Sequence, residues 1–225
     1  MKVAQKLEKV NQQIKDACLK VNRNPDEVRI IAVTKYVSSK RALEALEAGI
    51  LDLGENRDEG LLEKWETFQD KPIWHFIGSL QTRKVKNIID KVDYIHSLDR
   101  LALAEEINKR SLKTIKCFVQ VNVSGEESKH GMSPEEVIPF IERLKPLKNI
   151  RVDGLMTMAP FTNDEAVLRG CFQTLKQLQG QIKAYQIDFA PCTELSMGMS
   201  NDFTIAIEEG ATMVRIGTAL VGEDD

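Results

Sequence analysis

A lysine that follows an apolar run is the residue with the clearest chemical potential in this chain. Lys35 comes after the strand-like run at residues 28–33, Val-Arg-Ile-Ile-Ala-Val, with one threonine between them. Burial disfavours a charged ammonium group, so we expect a lysine that closes a buried strand to hold its amine partly neutral. A neutral lysine amine is a nucleophile toward aldehydes, and the usual product is a Schiff base. The sequence therefore predicts carbonyl chemistry at Lys35.

Two turns near the end of the chain offer groups that would bind the anionic part of a phosphorylated aldehyde. The first is 198–202, Gly-Met-Ser-Asn-Asp, which precedes a helical stretch that Ser200 is placed to cap. The second contains Gly217 and Thr218, which add backbone N–H groups and a hydroxyl. Free N–H groups and a helix dipole attract phosphate, although either turn alone could be an ordinary cap or tight turn. Together with Lys35, the two turns suggest pyridoxal phosphate (PLP).

Arg215 interrupts the otherwise apolar segment 213–217. An unpaired guanidinium in such a strand would carry a large desolvation cost, so we expect it to face an acceptor at the end of the sheet. The candidate acceptors are a carboxylate, a ligand phosphate and a heteroaromatic nitrogen. A structural salt bridge is the alternative to a ligand contact.

Three other polar features are each open to two interpretations. Asn56 and its charged neighbours follow a glycine, where they either begin and cap a helix or face a ligand. His75 alternates with apolar neighbours in the run 74–78, which is more typical of a hydrogen-bonded interior histidine than of a catalytic one. The polar, glycine-bearing loop 124–132 is either a mobile flap over a site or a solvated loop.

Eight strand-like runs alternate with amphipathic helical stretches along the chain. The predicted strands are residues 29–33, 51–54, 74–77, 94–97, 117–123, 152–156, 194–197 and 213–216. The predicted helices between them are residues 40–47, 59–68, 83–89, 101–109, 134–144, 165–184 and 201–208. Strands separated by helices of this length imply parallel crossovers, and eight such units can close a (β/α)8 barrel. We therefore expect an α/β fold of the TIM-barrel type, with an open doubly wound sheet as the alternative.

The chain begins with apolar residues at intervals of three or four, which predict an amphipathic helix. A short coiled coil could use the same stripe, but packing on its own domain is favoured. We expect one domain over residues 1–225, made of the barrel and this additional N-terminal helix. In such a barrel the chemistry lies at the carboxyl ends of the strands, so Lys35, Asn56, Ser200 and Arg215 should face one mouth.

Composition and charge argue against several classes of function. The net charge is −3, from 31 basic and 34 acidic residues, which gives no broad electrostatic surface for nucleic acid or an anionic membrane. The four cysteines are widely spaced and lack a C-x-x-C pair, which is typical of reduced thiols in the cytoplasm. The charged N-terminus has no signal-like apolar region, and no later run is long enough to span a membrane, so we expect a soluble cytoplasmic protein. The three histidines lack metal-ligand spacing, and P-loop and Ser-His-Asp signatures are absent, so no metal site, nucleotide site or triad is predicted.

Six ordered motifs resemble those of a known family. They are residues 31–35 (IAVTK), 54–56 (GEN), 75–81 (HFIGSLQ), 154–158 (GLMTM), 195–200 (LSMGMS) and 213–218 (MVRIGT). Together they make the chain similar to the YggS/PROSC family, the pyridoxal phosphate homeostasis proteins, over nearly its whole length. Ser79 stands where many members have proline, and Thr82-Arg83 replaces a more usual Ser-Asn. These departures affect only the expected conformation of one loop.

The resemblance implies a fold-type III barrel, similar to the N-terminal domain of alanine racemase, in which PLP is attached to a lysine as a Schiff base. The cofactor-binding residues that it implies are Lys35 for the aldehyde, Asn56 near the ring, Arg215 facing the pyridine nitrogen, and Ser200, Gly217 and Thr218 at the phosphate. It also implies a carrier or regulator of intracellular PLP supply, with effects on vitamin B6 and amino-acid pools and no established catalytic reaction.

Two enzyme classes stay open beside this carrier function. The first is a PLP-dependent amino-acid racemase. An arginine at the pyridine nitrogen favours the unprotonated ring, which is a poorer electron sink than a ring paired with aspartate, so carbanion chemistry should be slow. Such a racemase also uses a second acid/base residue from a further domain, for which a barrel of 225 residues leaves no room. A cofactor-free aldolase would use Lys35 directly on a sugar phosphate.

The partners expected for a carrier are PLP and PLP-dependent apo-enzymes. A cofactor sensor that acts through a protein partner is a third possibility. We expect a monomer, with a dimer as the alternative.

Overall fold

Eight parallel strands close into a barrel in the order of the chain. The computed structural model describes residues 2–126 and 130–222. The strands are β1 (Arg29–Val33), β2 (Asp52–Glu55), β3 (Ile73–Phe76), β4 (Tyr94–Leu98), β5 (Ile115–Gln120), β6 (Ile150–Met156), β7 (Glu194–Met199) and β8 (Met213–Ile216). Each strand pairs with the next along the chain, and β8 pairs with β1. The predicted (β/α)8 barrel is confirmed, and the alternative of an open sheet is wrong.

Helices alternate with these strands, as the sequence pattern predicted. They are α1 (Val3–Lys20), α2 (Ser39–Glu47), α3 (Asp58–Phe68), α4 (Val85–Ile88), α5 (Leu101–Arg110), α6 (Pro134–Arg143), α7 (Glu165–Ala184) and α8 (Phe203–Glu208). The predicted helix at residues 83–89 is divided, because a 3-10 turn (Thr82–Lys84) leads into the short α4.

Strand β5 ends three residues before its predicted end. Just after Gln120 the Val121 N–H still donates to the Met156 carbonyl of β6 at 2.9 Å, but the chain also pairs there with the loop that returns to it. The Asn122 N–H donates to the Met132 carbonyl at 2.8 Å, and the Met132 N–H donates to the Gln120 carbonyl at 3.0 Å. Apolar residues at 121 and 123 mimic a strand in the sequence, so the pattern alone did not show where the sheet pairing stops.

Helix α1 packs on its own barrel, as the sequence analysis favoured. The buried residues of α1 lie on one face and are Val3, Val10, Ile14, Ala17 and Cys18. This face contacts α8 and α2, and full burial of a valine or isoleucine side chain contributes roughly 1.5–3 kcal/mol. Just beyond α1, Arg23 donates to the carbonyls of Ile207 and Ala211 at 2.6 and 2.9 Å. The leading helix therefore stabilises the position of α8, which lies between the last two strands.

The apolar core has two parts. The larger part lies between the strands and the helices that surround them. The smaller cluster is inside the barrel and consists of Ile31, Tyr94, Phe118, Met156 and Met213, with Ile73 packed against it. Two fully buried histidines, His75 and His96, share this interior.

The two interior histidines are packed and hydrogen-bonded. The His75 ring stacks on Tyr94 with centroids 4.5 Å apart, and the His96 ring stacks on Phe118 at 4.3 Å. His75 Nε2 lies 2.8 Å from Asp52 Oδ1, and His75 Nδ1 lies 2.9 Å from His96 Nε2. The expectation that His75 is a hydrogen-bonded interior residue is confirmed.

Burial controls the charge of both rings. It lowers the pKa of His75, although the hydrogen bond to Asp52 opposes the shift. It lowers the pKa of His96 well below its ordinary value, with the positive charges of Arg215 and Arg29 acting in the same direction. Burial alone would raise the pKa of Asp52, but the hydrogen bond from His75 and the charge of Arg29 lower it overall. The interior thus holds an ionised carboxylate and two neutral imidazoles.

The free energy of unfolding should fall as the pH is lowered from about 7 toward 5. A histidine in the unfolded chain titrates near pKa 6.5, so below that pH the unfolded state binds protons that the buried neutral rings do not. Each buried ring contributes a slope of up to about 1.4 kcal/mol per pH unit in this window. Urea denaturation followed by tryptophan fluorescence at several pH values measures the slope.

Two matched variants distinguish the contribution of the interior histidines to this pH dependence from that of a surface histidine. His96→Gln replaces one buried ring with a neutral amide and should reduce the slope, whereas His130→Gln alters an exposed histidine and keeps both interior rings. Equal slopes in the wild type and in His96→Gln would contradict this account of the barrel interior.

Candidate functional site

The predicted cofactor-binding residues lie on or just after four neighbouring strands. Asn56 directly follows β2, Ser200 directly follows β7, and Arg215 lies within β8. Lys35 is two residues beyond the end of β1. Because β7, β8, β1 and β2 pair in that order around the barrel, their carboxyl ends occupy one continuous part of the mouth.

Lys35 is exposed, so the expectation that it closes a buried strand is wrong. The buried residue is Thr34, whose N–H donates to the Gly54 carbonyl at 3.0 Å. Lys35 lies one step further, where the chain turns away from the barrel toward α2, and its Nζ is 4.7 Å from the ring centroid of Tyr36. The backbone that carries Lys35 is thus fixed by Thr34, while its amine is accessible to molecules in solution.

A buried carboxylate stabilises the adjoining ends of β1 and β2. Glu55 accepts a hydrogen bond from the Thr34 hydroxyl at 2.5 Å, and its Oε1 lies 3.0 Å from Lys64 Nζ of α3. Burial raises the pKa of Glu55, and the charge of Lys64 opposes that shift. Since Thr34 precedes Lys35 and Glu55 precedes Asn56, this network fixes both segments. The sequence analysis did not identify it.

Asn56 is not a helix cap. The residue at the N-cap position of α3 is Arg57, and no side chain caps that helix end. The backbone of Asn56 is instead packed against Gly78, where a Cβ would lie only 2.3 Å from the Asn56 carbonyl oxygen. The glycine after β3 is therefore required for this close approach, and Asn56 keeps a half-buried side chain at the mouth.

Arg215 is buried and donates to two neutral acceptors. Its Nη1 is 2.7 Å from the Ser196 hydroxyl, and its Nη2 is 2.9 Å from the Thr157 carbonyl. Burial lowers the pKa of Arg215 to about 10, opposed by the charge of Asp202, so the guanidinium remains charged at neutral pH. These contacts use two of its five N–H donors. Arg215 therefore has acceptors, but they are a serine hydroxyl and a backbone carbonyl, neither of which is among the three candidates that the sequence suggested.

Sequence reasoning did not find Ser196 or Thr157 as the partners of Arg215. The only signal was the alternation in β7, where Ser196 is a polar residue between the buried Leu195 and Met197. A single serine in a strand is too common to be identified in this way without its neighbours from other strands.

The turn after β7 differs from the prediction. Ser200 does not cap α8, because the helix begins at Phe203 and Asp202 is at the N-cap position. The Asp202 carboxylate accepts from the Met199 N–H at 2.6 Å, and burial raises the pKa of Asp202. Ser200 lies two residues before Asp202 and is half-buried.

Gly198 is required by packing within the protein. It has φ +93, and a Cβ there would lie 2.6 Å from the Cβ of Ala206 and 2.9 Å from the Cα of Phe203. The glycine therefore lets α8 approach the end of β7. This explains a residue that sequence reasoning had assigned to the anion site.

The two candidate phosphate-binding turns meet in the fold. The Ala219 N–H points to the Ser200 hydroxyl oxygen at 3.5 Å, which places the turn after β8 beside the turn after β7. A Cβ on Gly217 would only reach ordinary contact, 3.7 Å from Val33, so packing of the protein does not itself demand glycine there. Thr218 is exposed on the same turn.

The donor set at the mouth fits a phosphorylated heteroaromatic aldehyde. It combines an accessible amine, a fixed guanidinium with unused donors, and hydroxyls beside a glycine. Within residues 2–126 and 130–222, no group of three His, Cys, Asp or Glu side chains could hold a metal ion, and no helix is long and apolar enough to cross a membrane. The suggested flap at 124–132 lies partly outside the described residues, which omit 127–129.

The chain is similar to known proteins over nearly its whole length. The family model for the N-terminal domain of alanine racemase matches residues 7–225. The pyridoxal phosphate homeostasis protein of Aquifex aeolicus is 40% identical over 99% of this chain and 99% of its own length. That of Pseudomonas aeruginosa is 37% identical over 99% of this chain and 96% of its own length.

Solved structures show the same fold. PipY of Synechococcus elongatus PCC7942, with PLP bound, has a TM-score of 0.85 and 30% identity, covering 98% of this chain and 100% of PipY. An alanine racemase of Clostridium difficile 630 has a TM-score of 0.79 at 15% identity and covers 97% of this chain but 56% of the racemase, which supports the fold alone. On full-length sequence similarity, this chain belongs to the family of pyridoxal phosphate homeostasis proteins.

Proposed function

We propose that this chain binds PLP reversibly and buffers or supplies it inside the cell, with secondary effects on amino-acid pools. The observation that carries the proposal is the combination of an accessible amine, Lys35, which follows β1, with a buried and fixed guanidinium, Arg215, on the adjacent strand β8. PLP bound to the relative PipY supports PLP as the ligand.

Lys35 is the proposed point of covalent attachment. When PLP is bound, its aldehyde carbon is available for condensation with a neutral amine, with loss of water, to give a Schiff base. An exposed amine favours reversibility, because water and competing amines can reach the same carbon. Ser200, Gly217 and Thr218 are the proposed phosphate contacts, and Asn56 is the proposed neighbour of the ring.

Arg215 is proposed to face the pyridine nitrogen. A guanidinium donates hydrogen bonds and cannot accept the proton of a pyridinium, so it favours the unprotonated ring. Such a ring withdraws electrons less strongly than one paired with a carboxylate. We therefore propose that the chain is a carrier rather than an enzyme, and that the racemase alternative is not favoured.

The remaining features of the proposal concern where and with whom the carrier acts. We propose that residues 1–225 work as a single domain and a monomer, with PLP-dependent apo-enzymes as recipients. The four cysteines are all buried and none forms a disulfide bond, which suits a reducing compartment, and the cytoplasm is the proposed location.

Lys35→Ala should remove most of the visible absorbance band of protein reconstituted with PLP. The alanine has no amine to condense with the aldehyde. The control variant Lys40→Ala removes an exposed lysine in the nearby helix α2 and should keep the band. Borohydride reduction followed by peptide mass analysis should place the trapped adduct on Lys35. A band of full intensity in Lys35→Ala, or an adduct on a different lysine, would contradict the assignment.

Ser200→Ala and Thr218→Ala should each weaken PLP binding by about 1–3 kcal/mol, because a hydrogen bond to a charged acceptor is lost. Fluorescence titration with PLP measures the change, and the same titration with pyridoxal, which has no phosphate, should show almost none. Thr114→Ala, an exposed threonine ahead of β5, is the matched control. Equal losses for PLP and pyridoxal would place the phosphate elsewhere.

Transfer of PLP to a recipient enzyme distinguishes a carrier from an enzyme. The PLP-loaded protein is mixed with the apo form of a PLP-dependent aminotransferase, and the loss of its band is followed together with the recipient's activity. The proposal expects transfer, and turnover far below about 10 per second when single-enantiomer amino acids are assayed for racemisation. Racemisation at ordinary enzyme rates, or failure to release PLP, would overturn the carrier function.

A further inference from the structure

We infer that a directed chain of hydrogen bonds through the barrel interior orients Arg215, and that Ser196 and His96 are positioning residues for its guanidinium. This hydrogen-bond chain starts at Asp52, near the amino end of β2, and ends at Arg215, near the mouth of the barrel. The inference deepens the proposed function, because it rests on Arg215 facing the pyridine nitrogen of PLP.

Every link of the chain has hydrogen-bond distance. His75 Nε2 lies 2.8 Å from Asp52 Oδ1, and His75 Nδ1 lies 2.9 Å from His96 Nε2. His96 Nδ1 lies 2.9 Å from the Ser196 Oγ, which in turn lies 2.7 Å from Arg215 Nη1. The five residues come from β2, β3, β4, β7 and β8, so the chain crosses the barrel from one side to the other.

The charged groups at the two ends of the hydrogen-bond chain, Asp52 and Arg215, determine where each proton lies. An ionised carboxylate only accepts, so His75 must donate to Asp52 from Nε2. A neutral ring then accepts at Nδ1, so His96 donates from its own Nε2 and accepts at Nδ1. The Ser196 hydroxyl therefore donates to His96 and accepts from Arg215.

The opposite order is disfavoured by the charges at both ends. It would require a protonated Asp52, yet this carboxylate forms an ion pair with Arg29 in addition to its hydrogen bond with His75. Arginine has no acceptor, so Ser196 cannot direct its hydroxyl proton to Arg215. One arrangement of protons thus satisfies every group.

Burial and the two guanidinium groups favour neutral rings, although the carboxylates act in the opposite direction on His75. The charged groups around His75 and His96 are Asp52, Arg29 and Arg215, with Asp93 acting on His75 from outside the interior. Tyr94 stacks on His75 and accepts a hydrogen bond from Lys116 Nζ at 3.2 Å. A proton on His96 would bring a third positive charge between the two guanidinium groups.

The contacts with Ser196 and Thr157 fix the plane of the Arg215 guanidinium group. Because the Ser196 proton is committed to His96, Ser196 presents only lone pairs to Nη1, while the Thr157 carbonyl holds Nη2 at 2.9 Å. A guanidinium held at both terminal nitrogens cannot rotate freely about its long side chain. Its remaining N–H donors therefore point in a fixed direction. In the proposed complex, that direction determines the geometry of the hydrogen bond to the ring nitrogen of PLP.

The first test uses ligand-free protein and is independent of PLP. Nitrogen NMR of 15N-histidine-labelled protein reports the tautomer of each ring. The inference expects His75 and His96 both to be neutral, with the proton on Nε2. Ser196→Ala should shift the Nδ1 signal of His96, and Ser196→Thr, which keeps the hydroxyl, should restore it. A proton on Nδ1 of either ring, or a protonated ring at neutral pH, overturns the inference.

The second test measures the cofactor-facing effect. Ser196→Ala should weaken PLP binding about ten-fold and change the position or pH response of the visible band, while borohydride trapping on Lys35 persists and Ser196→Thr restores both properties. Wild-type affinity and spectrum in Ser196→Ala would overturn the inference and leave the carrier proposal standing. If the wild-type protein itself fails to bind PLP, the proposed function fails, and the tautomer measurement then decides the hydrogen-bond chain separately.

Discussion

The structure depends on one demanding constraint, which is the burial of a charged guanidinium inside a parallel barrel. Taking a charge out of water costs several kcal/mol unless its hydrogen bonds are replaced. The barrel replaces them at Arg215 with a hydroxyl from β7 and a carbonyl that follows β6. The hydroxyl is itself satisfied by His96, whose ring is packed against Phe118. The interior is therefore half polar, and its small apolar cluster works mainly as a support for the hydrogen-bonded rings.

The same constraint explains why so much of the chain contributes to a site of a few residues. Strand β8 is positioned by pairing with β7 and β1, and α8 is held beside it by α1 and by Arg23. On the other side of Lys35, the buried Glu55 with Thr34 and Lys64 fixes the ends of β1 and β2. The site thus lies between two buried polar networks, one inside the barrel and one between the sheet and α3.

The sequence predicted the architecture well because the alternation of apolar runs and amphipathic helices is a local signal. All eight strands and the side of the barrel that carries the polar residues follow from it. Its errors lie at strand ends, where one residue decides the environment. Thr34 is buried and Lys35 is exposed, and the helix that Ser200 was expected to cap begins at Phe203. The links from His75 to His96 and from Ser196 to Arg215 join separate strands, and a single sequence carries no signal of such pairs.

The contrast between Lys35 and Arg215 is the step that connects this architecture to reversible binding. Covalent attachment to an exposed amine can be undone by water or by another amine, so affinity cannot depend on that bond alone. A rigid donor in a dry interior adds a contact that needs no rearrangement when the ligand arrives, because its orientation has already been set during folding. In the proposed carrier, PLP would be released at the exposed Lys35, while the buried Arg215 would determine which ligand is accepted.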